Sequence, residues 1–251
     1  MKRIRAAPKI GVRKSFNGNT MKNVFITGAS QGLGKALAAY FSERGWFVYA
    51  GCFSGNAPLP GPGKVLRGDI ADEKEVRRMF AEIDTLDVLI NNARFCPSPR
   101  DSSLGESEWW DRNLSVSLKG TYLCSLEAMK LMKKQKYGSI INVSSIRACI
   151  PNDSDRIPYG AAKAGQLNLT RSFADAGGPF NIRVNSLLPG AIETENLQKR
   201  ITPERYAEVT ANIPLRRMGT MEEICHAAMF LAENTYVTGT ALNCSGGALL
   251  Y

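Results

Sequence analysis

Apolar runs of strand length alternate along this chain with longer segments of helical period. That alternation predicts a parallel sheet covered by helices on both faces. The first strand is read at Val24-Phe25-Ile26, followed by a glycine-rich turn and a helix to about Arg44. A second strand runs from Trp46 to Cys52. Prolines at 58, 60 and 62 then exclude a regular helix, so the crossover there is expected as a loop. A short strand at Lys64–Leu66 leads to Asp69-Ile70 and a charged helix over about Asp72–Phe80. Leu86–Ile90 reads as a buried strand. A long helix is expected over about Glu106–Gln135, with Trp110, Leu114, Leu118, Tyr122, Leu126 and Met129 on its apolar stripe. Lysines close its last turn and Gly138 follows, as helix C-termini favour. Further strands are read at Ser139–Ser144, Ile182–Leu187 and Ala241–Cys244, with a helix opening at Tyr159 and running to about Ala176. Thr220-Met221-Glu222-Glu223 has the form of a capping box ahead of the helix carrying His226. The expectation is one α/β domain over residues 21–251, a doubly wound parallel sheet in three layers.

Composition narrows the functional classes. The net charge of +9 is uneven: residues 1–20 hold six basic residues and no acid, leaving 26 basic against 23 acidic in the rest. The body is therefore close to neutral and gives little ground for nucleic-acid binding. Met21 directly precedes the first strand, which favours a natural start there, or a loose tail, over a targeting segment for the basic extension. No apolar run nears the ~20 residues of a membrane span, so no membrane partner is expected. Six scattered cysteines without a C-x-x-C pair suit a reducing cytoplasm and argue against a thiolate metal site. A single histidine, His226, makes a histidine metal site or a Ser-His-Asp triad improbable and is expected to pack on its helix. No metal is assigned.

Two constellations carry chemistry. Thr27-Gly28-Ala29-Ser30-Gln31-Gly32-Leu33-Gly34 lies between first strand and first helix. Glycines there let the backbone approach a dinucleotide pyrophosphate, and the helix start offers free N–H groups and partial positive charge. Gly28, Ser30, Gln31, Gly32, Leu33 and Gly34 are thus candidate cofactor contacts, on a fold of Rossmann type. Tyr159 and Lys163, four residues apart, share one helix face. An ammonium beside a phenol favours the phenolate, and opposite charges at such range move pKa values by about 1–3. Ser145 stands at a strand's carboxyl end, where ligands enter a parallel sheet.

The spacing T-G-x-x-x-G-x-G, Asn91-Asn92-Ala93, Ser144-Ser145, Tyr159-Gly160-Ala161-Ala162-Lys163, Asn185 with Pro189-Gly190 and Thr194, and Gly246-Gly247 follow in order. Together they resemble the short-chain dehydrogenase/reductase family, in particular its 3-oxoacyl-acyl-carrier-protein-reductase-like members, over residues 22 to about 248. The resemblance implies an enzyme that transfers a hydride between NAD(P)(H) and a small carbonyl or alcohol substrate. Tyr159 would be general acid/base, Lys163 would lower its pKa and hold the ribose, and Ser145 would bond the substrate oxygen. Asp69 and Ile70 would border the adenine, with Asn91, Ala93, Tyr159, Lys163, Pro189, Gly190, Ile192 and Thr194 completing the cofactor site. It also implies a homotetramer or homodimer packed through the two long helices.

Two positions depart from the family. Ser117 replaces an asparagine on the long helix, which weakens a proton relay through water to Lys163; Asn113 lies one turn earlier. Arg94 replaces a glycine after Asn91-Asn92-Ala93, either for a surface ion pair or to meet an anionic group. These departures motivate an alternative, a catalytically weakened NAD(P)-binding sensor or interaction protein. At the end of the second strand Cys52, Phe53 and Ser54 offer neither an acid to repel a 2′-phosphate nor an arginine to bind it, and the reading leans to NADP over NAD because nothing repels it. Substrate-lining stretches are expected at 94–99, 146–155 and 191–213; Arg147, Asp153, Asp155 and Arg156 hint faintly at a polar substrate. Trp109 and Trp110 are expected to anchor the long helix.

Overall fold

The structure is a computed structural model, and it describes residues 21–95, 97, 100–198 and 201–250. The basic extension, Cys96, Ser98, Pro99, Lys199, Arg200 and Tyr251 lie outside the described residues. Along the chain come β1 (Asn23–Thr27), α1 (Gly32–Glu43), β2 (Phe47–Cys52), β3 (Gly63–Arg67), α2 (Glu73–Phe80) and β4 (Val88–Asn91). Then follow α3 (Glu106–Leu114), a π-helical turn (Ser115–Lys119), α4 (Gly120–Gln135), β5 (Gly138–Val143) and α5 (Ile157–Gly177). The chain closes with β6 (Ile182–Pro189), α6 (Glu195–Gln198), α7 (Pro203–Ala211), α8 (Met221–Glu233) and β7 (Ala241–Cys244).

All strand pairs are parallel, in the order β3-β2-β1-β4-β5-β6-β7. Winding reverses between β1 and β4, so their carboxyl ends open the crevice where doubly wound sheets bind ligands. The strands are apolar on both faces because each face is covered. Val24 and Ile26 of β1 join Leu37, Phe41, Ile224 and Leu231 on one side. Phe25, between them, points to the other side and joins Met79, Phe80, Leu89, Cys124 and Met132. The strand's period of two thus feeds two separate cores. The proline-rich stretch forms no helix, as its sequence dictates.

The long helix departs from its expected stripe. Trp110 and Tyr122 are 42% and 43% exposed, and Leu114, Leu118 and Leu126 are only partly covered. The buried positions are Trp109, Asn113, Ser117, Gly120, Thr121, Leu123, Cys124, Ser125, Ala128, Met129 and Met132, so of the expected stripe only Met129 is inside. Small polar side chains can sit inside because they bond one another: Thr121 Oγ1 donates to the Ser117 carbonyl at 3.0 Å and Ser125 Oγ to the Thr121 carbonyl at 2.7 Å. A polarity pattern therefore misreads much of the helix, while Met129 is buried as expected. Trp109 does anchor it, through an indole N–H on the Asp155 carbonyl at 3.1 Å. Segments 195–198 and 203–211, read as loop, are helical, the second capped by the Thr202 hydroxyl.

The capping box of α8 is present, and Arg217 reinforces it with bonds of 2.6 and 2.9 Å to Glu223. Chiefly through that side-chain hydrogen bond, the Glu223 carboxyl is lowered from 4.5 to about 2. A depressed folded-state pKa contributes stability that is complete above the unfolded value and disappears as pH falls toward the folded one. Thermal unfolding of wild type and Glu223→Gln should therefore differ most near neutrality and converge between pH 4.5 and about 2. A gap independent of pH contradicts the assignment.

Candidate active site

At the carboxyl end of β1 the chain turns sharply into α1. Gly28 has φ +67°, and a Cβ there would meet Ala93 Cα at 2.8 Å. At Gly34 a Cβ would sit 2.1 Å from the Gly28 carbonyl oxygen and 2.5 Å from Asn92 Nδ2. These two glycines let the turn close onto the end of β4. Asn92 Nδ2 donates to the Thr27 and Gly28 carbonyls at 2.9 and 3.2 Å, and the Asn92 and Ala93 N–H groups both reach Thr27 Oγ1 at 3.0 Å. Gly32 is different: it has φ +53°, and a Cβ there would have nothing within 4 Å, so its face is open. Gln31 precedes α1 without any side-chain cap bond. An uncapped helix start beside an open glycine face fits a pyrophosphate, with N–H groups and partial positive charge directed at it.

The residues expected at an adenosine lie after β2 and β3. Cys52 is buried and pairs in register with Arg67. Burial raises the Cys52 thiol pKa, and the nearby Arg67 charge partly opposes it. Arg67 Nη1 donates at 2.6 Å to the carbonyl of Gly55, in the loop after β2. A Cβ at Gly55 would lie 3.7 Å from Ser30 Cβ. A cation therefore borders the mouth between this loop and the glycine-rich turn, delivered by the neighbouring strand rather than by β2. Asp69 accepts the Ala71 N–H at 2.8 Å. Ile70 is buried against Gly120, tying the approach to α2 to the start of α4. Asn91 is buried with its amide donating to Ser125 Oγ and Asn142 Oδ1 at 3.0 and 2.9 Å, so its side chain faces the interior.

Lys163 reaches the carboxyl end of β5 and lies beside Tyr159, and Ser145 stands two residues beyond the end of the same strand. Tyr159 is half-buried. Lys163 is 1% exposed, with Nζ 5.5 Å from the Tyr159 ring centroid. Its ammonium donates to the Val143 carbonyl at 2.6 Å and to Gln166 Oε1 at 3.2 Å. Ser144 is buried, its hydroxyl donating to the Lys163 carbonyl at 2.9 Å, which fastens α5 to the end of β5. Ser145, next along, is half-exposed and accepts the Arg147 N–H at 3.2 Å. At the strand end one serine is thus buried and bonded and the next partly exposed. Ser117 stands within the π turn, its hydroxyl accepting the Phe95 N–H at 3.2 Å. Asn113 gives its amide N–H to the Trp109 carbonyl one turn back.

Pro189-Gly190 ends β6, where a Cβ on Gly190 would meet Ser245 Cβ at 2.8 Å. Ile192 bridges to Gly219 in parallel fashion, and Thr194 Oγ1 accepts the Leu197 N–H at 3.0 Å to start α6. Asn185 is structural, bonding the Val237 carbonyl and the Thr240 N–H.

Comparison with known proteins agrees with this geometry. The family model described as enoyl-(acyl carrier protein) reductase matches residues 28–248. An uncharacterized oxidoreductase of Thermotoga maritima is 35% identical over 245 residues, covering 90% of this chain and 97% of the relative. The 3-oxoacyl-[acyl-carrier-protein] reductase of the same organism is 34% identical, covering 91% and 98%. The Escherichia coli protein of that name is 32% identical, covering 90% and 96%. The crystal structure of a candidate gluconate dehydrogenase from Agrobacterium tumefaciens superposes with TM-score 0.81 at 28% identity, covering 90% of this chain and 95% of that one. The chain belongs to the short-chain dehydrogenase/reductase family. It is an NAD(P)-dependent oxidoreductase on a Rossmann-type sheet.

Within this short-chain dehydrogenase/reductase, the three stretches read as substrate-lining differ in character. Arg94 is exposed; Cys96, Ser98 and Pro99 lie outside the described residues. In 146–155 Arg147 lies 3.7 Å from Asp153, and Asp155 lies 3.8 Å from Arg100 outside the stretch. Segment 191–213 forms a cleft lined by Glu193, Leu197, Gln198, Ile201, Tyr206 and Met218, which neither Tyr159 nor Ser145 lines. His226 lies on α8, its ring 5.4 Å from Tyr40 and its Nε2 3.7 Å from Glu222. Gln166 and Arg67 are the residues that sequence reasoning missed.

The two kinds of glycine predict different outcomes. Gly32→Ala meets only an unfavourable left-handed backbone, about 1–2 kcal/mol. Gly34→Ala drives a methyl into the Gly28 carbonyl and Asn92, and should lose far more thermal stability and dinucleotide binding. Equal losses would contradict the packing described.

Proposed function

We propose that this enzyme interconverts a carbonyl and an alcohol on a small substrate, with NADP(H) preferred over NAD(H). When bound, the nicotinamide ring supplies or accepts the hydride. In reduction, the Tyr159 phenol gives its proton to the carbonyl oxygen as negative charge develops there; in oxidation, the phenolate takes it back. Lys163 holds the phenolate down in energy through its positive charge and bonds the ribose hydroxyls. Ser145 bonds the substrate oxygen. Gly28, Ser30, Gln31, Gly32, Leu33 and Gly34 receive the pyrophosphate, Asp69 and Ile70 the adenine, and Ala93, Pro189, Gly190, Ile192 and Thr194 the nicotinamide side. Asn91 contributes through its backbone.

The observation that carries this reading is the buried ammonium of Lys163 beside the Tyr159 ring. The preference for NADP rests on the Arg67 cation at the adenosine mouth, together with the lack of an acid at Cys52-Phe53-Ser54. The rival reading, a weakened nucleotide-binding sensor, draws on Ser117 and is separated by turnover itself. Substrates worth trying first are those of the relatives, 3-oxoacyl thioesters and sugar acids. Assembly as a homodimer or homotetramer through α4 and α5 draws on the exposed Tyr122 of α4, whose ring lies 6.1 Å from that of Phe173 on α5.

Tyr159→Phe should lower turnover by about 10²–10⁴ while dinucleotide binding persists, since proton transfer of this type contributes that much. Followed by nicotinamide absorbance, retained turnover would refute the role, and binding without turnover in the wild type would favour the sensor. Arg67→Gln should weaken NADPH binding by about tenfold or more, the scale of a charge-assisted bond, and leave NADH unchanged. Equal effects on both would remove Arg67 from the choice.

A further inference from the structure

Gln166 lies one residue short of a full turn beyond Lys163 on α5 and is completely buried. Both ends of its amide are engaged. Oε1 accepts the Lys163 ammonium at 3.2 Å; Nε2 donates to the Ser117 carbonyl at 2.6 Å and to Thr121 Oγ1 at 2.9 Å. The partners fix the amide's orientation, because an ammonium can only donate and a carbonyl can only accept. One side chain therefore spans Lys163 and the π turn of the long helix. That turn closes with the Gly120 N–H on the Ser115 carbonyl, five residues apart, in a geometry that displaces backbone groups from regular α-helical pairing.

Burial tends to strip a lysine of its proton, and oxygen acceptors oppose this by favouring the charged form. Lys163 has two such acceptors on different elements, the Val143 carbonyl on β5 and the amide of Gln166. From this geometry we infer that Gln166 is a positioning residue for the reaction: it holds the Lys163 ammonium charged and aimed, by bracing it against the Ser117 carbonyl. The inference rests on the proposed roles of Tyr159 and Lys163. It also changes the meaning of Ser117. The serine's carbonyl is occupied by the NH2 end of a side-chain amide, which, unlike a water, does not take a proton at its oxygen and release another from its nitrogen without becoming the imidic acid tautomer. The link from lysine to long helix in this chain is a brace, and a proton route along it is closed.

The test is a double-variant cycle on the full-length enzyme, read by fluorescence titration with NADPH and by turnover. Gln166→Met keeps the side chain's length and removes its polar atoms. It should weaken NADPH binding and lower turnover by about tenfold, the lower end for a hydrogen bond to a charged group. In a Lys163→Met background the same change should weaken binding no further, because contacting residues that act as a unit are not additive. Gln166→Asn retains the amide but falls one methylene short of reaching both partners, and should lose nearly as much; it carries the test if Gln166→Met fails to fold. Wild-type binding and turnover in either folded variant, or an undiminished effect without Lys163, would overturn the inference. Wild-type protein that binds neither nicotinamide nucleotide would instead sink the proposed function on which it rests.

Discussion

A charged lysine kept almost wholly out of water is the constraint around which this molecule is arranged. Isolated burial of an ammonium costs several kcal/mol even after relaxation, a large share of the stability of a typical domain, unless it is bonded and compensated. Here Lys163 is met by the Val143 carbonyl, the Gln166 amide and the neighbouring Tyr159 ring. Each partner comes with its own requirement. Val143 has to end a strand in the middle of the sheet, Gln166 has to be tied to the long helix, and Tyr159 has to sit one turn earlier on the same helix. The polar residues beneath extend the same logic: Asn142 donates to Thr170, and Thr170 bonds both Ser186 and the Gln166 carbonyl. A buried network of this kind is stable because its donors are matched.

The fold places that lysine where it can act. The sheet reverses its winding between β1 and β4, and the glycine-rich turn is locked to β4 by Asn92 and Thr27. The phosphate end and the proton-transfer end therefore stand along one edge, separated by the breadth of the central strands. Close approach does the joining: Gly28 and Gly34 admit the β4 end, and Gly120 admits Ile70. The long helix runs past both, and its π turn lies where α5 passes, with Leu118 over Gly165 and Ser117 under Gln166.

Much of this was legible in the chain because it is local. The capping box, the glycine-rich turn, the Tyr159–Lys163 spacing and the proline-broken crossover depend on neighbours within a few residues. What escaped depends on register across elements. Arg67 reaches the loop after β2 because β3 pairs with β2 so that it stands beside Cys52, a fact no inspection of the end of β2 could show. Asn113, Ser117, Thr121 and Ser125 fell outside the expected apolar stripe, since polarity is a poor guide to burial once polar side chains find partners within a helix pair. Gln166 read as an ordinary helical residue for the same reason. The helices at 195–198 and 203–211 are short, and their apolar residues serve a cleft rather than the main core.

Ionisation of the Tyr159 phenol is the quantity on which the account turns, and ultraviolet titration of wild type against Tyr159→Phe isolates it. The difference spectrum should show a phenolate forming well below the ordinary value of about 10 for tyrosine, as an adjacent fixed cation requires. A phenol that titrates at or above that value would mean that Lys163 does not act on it.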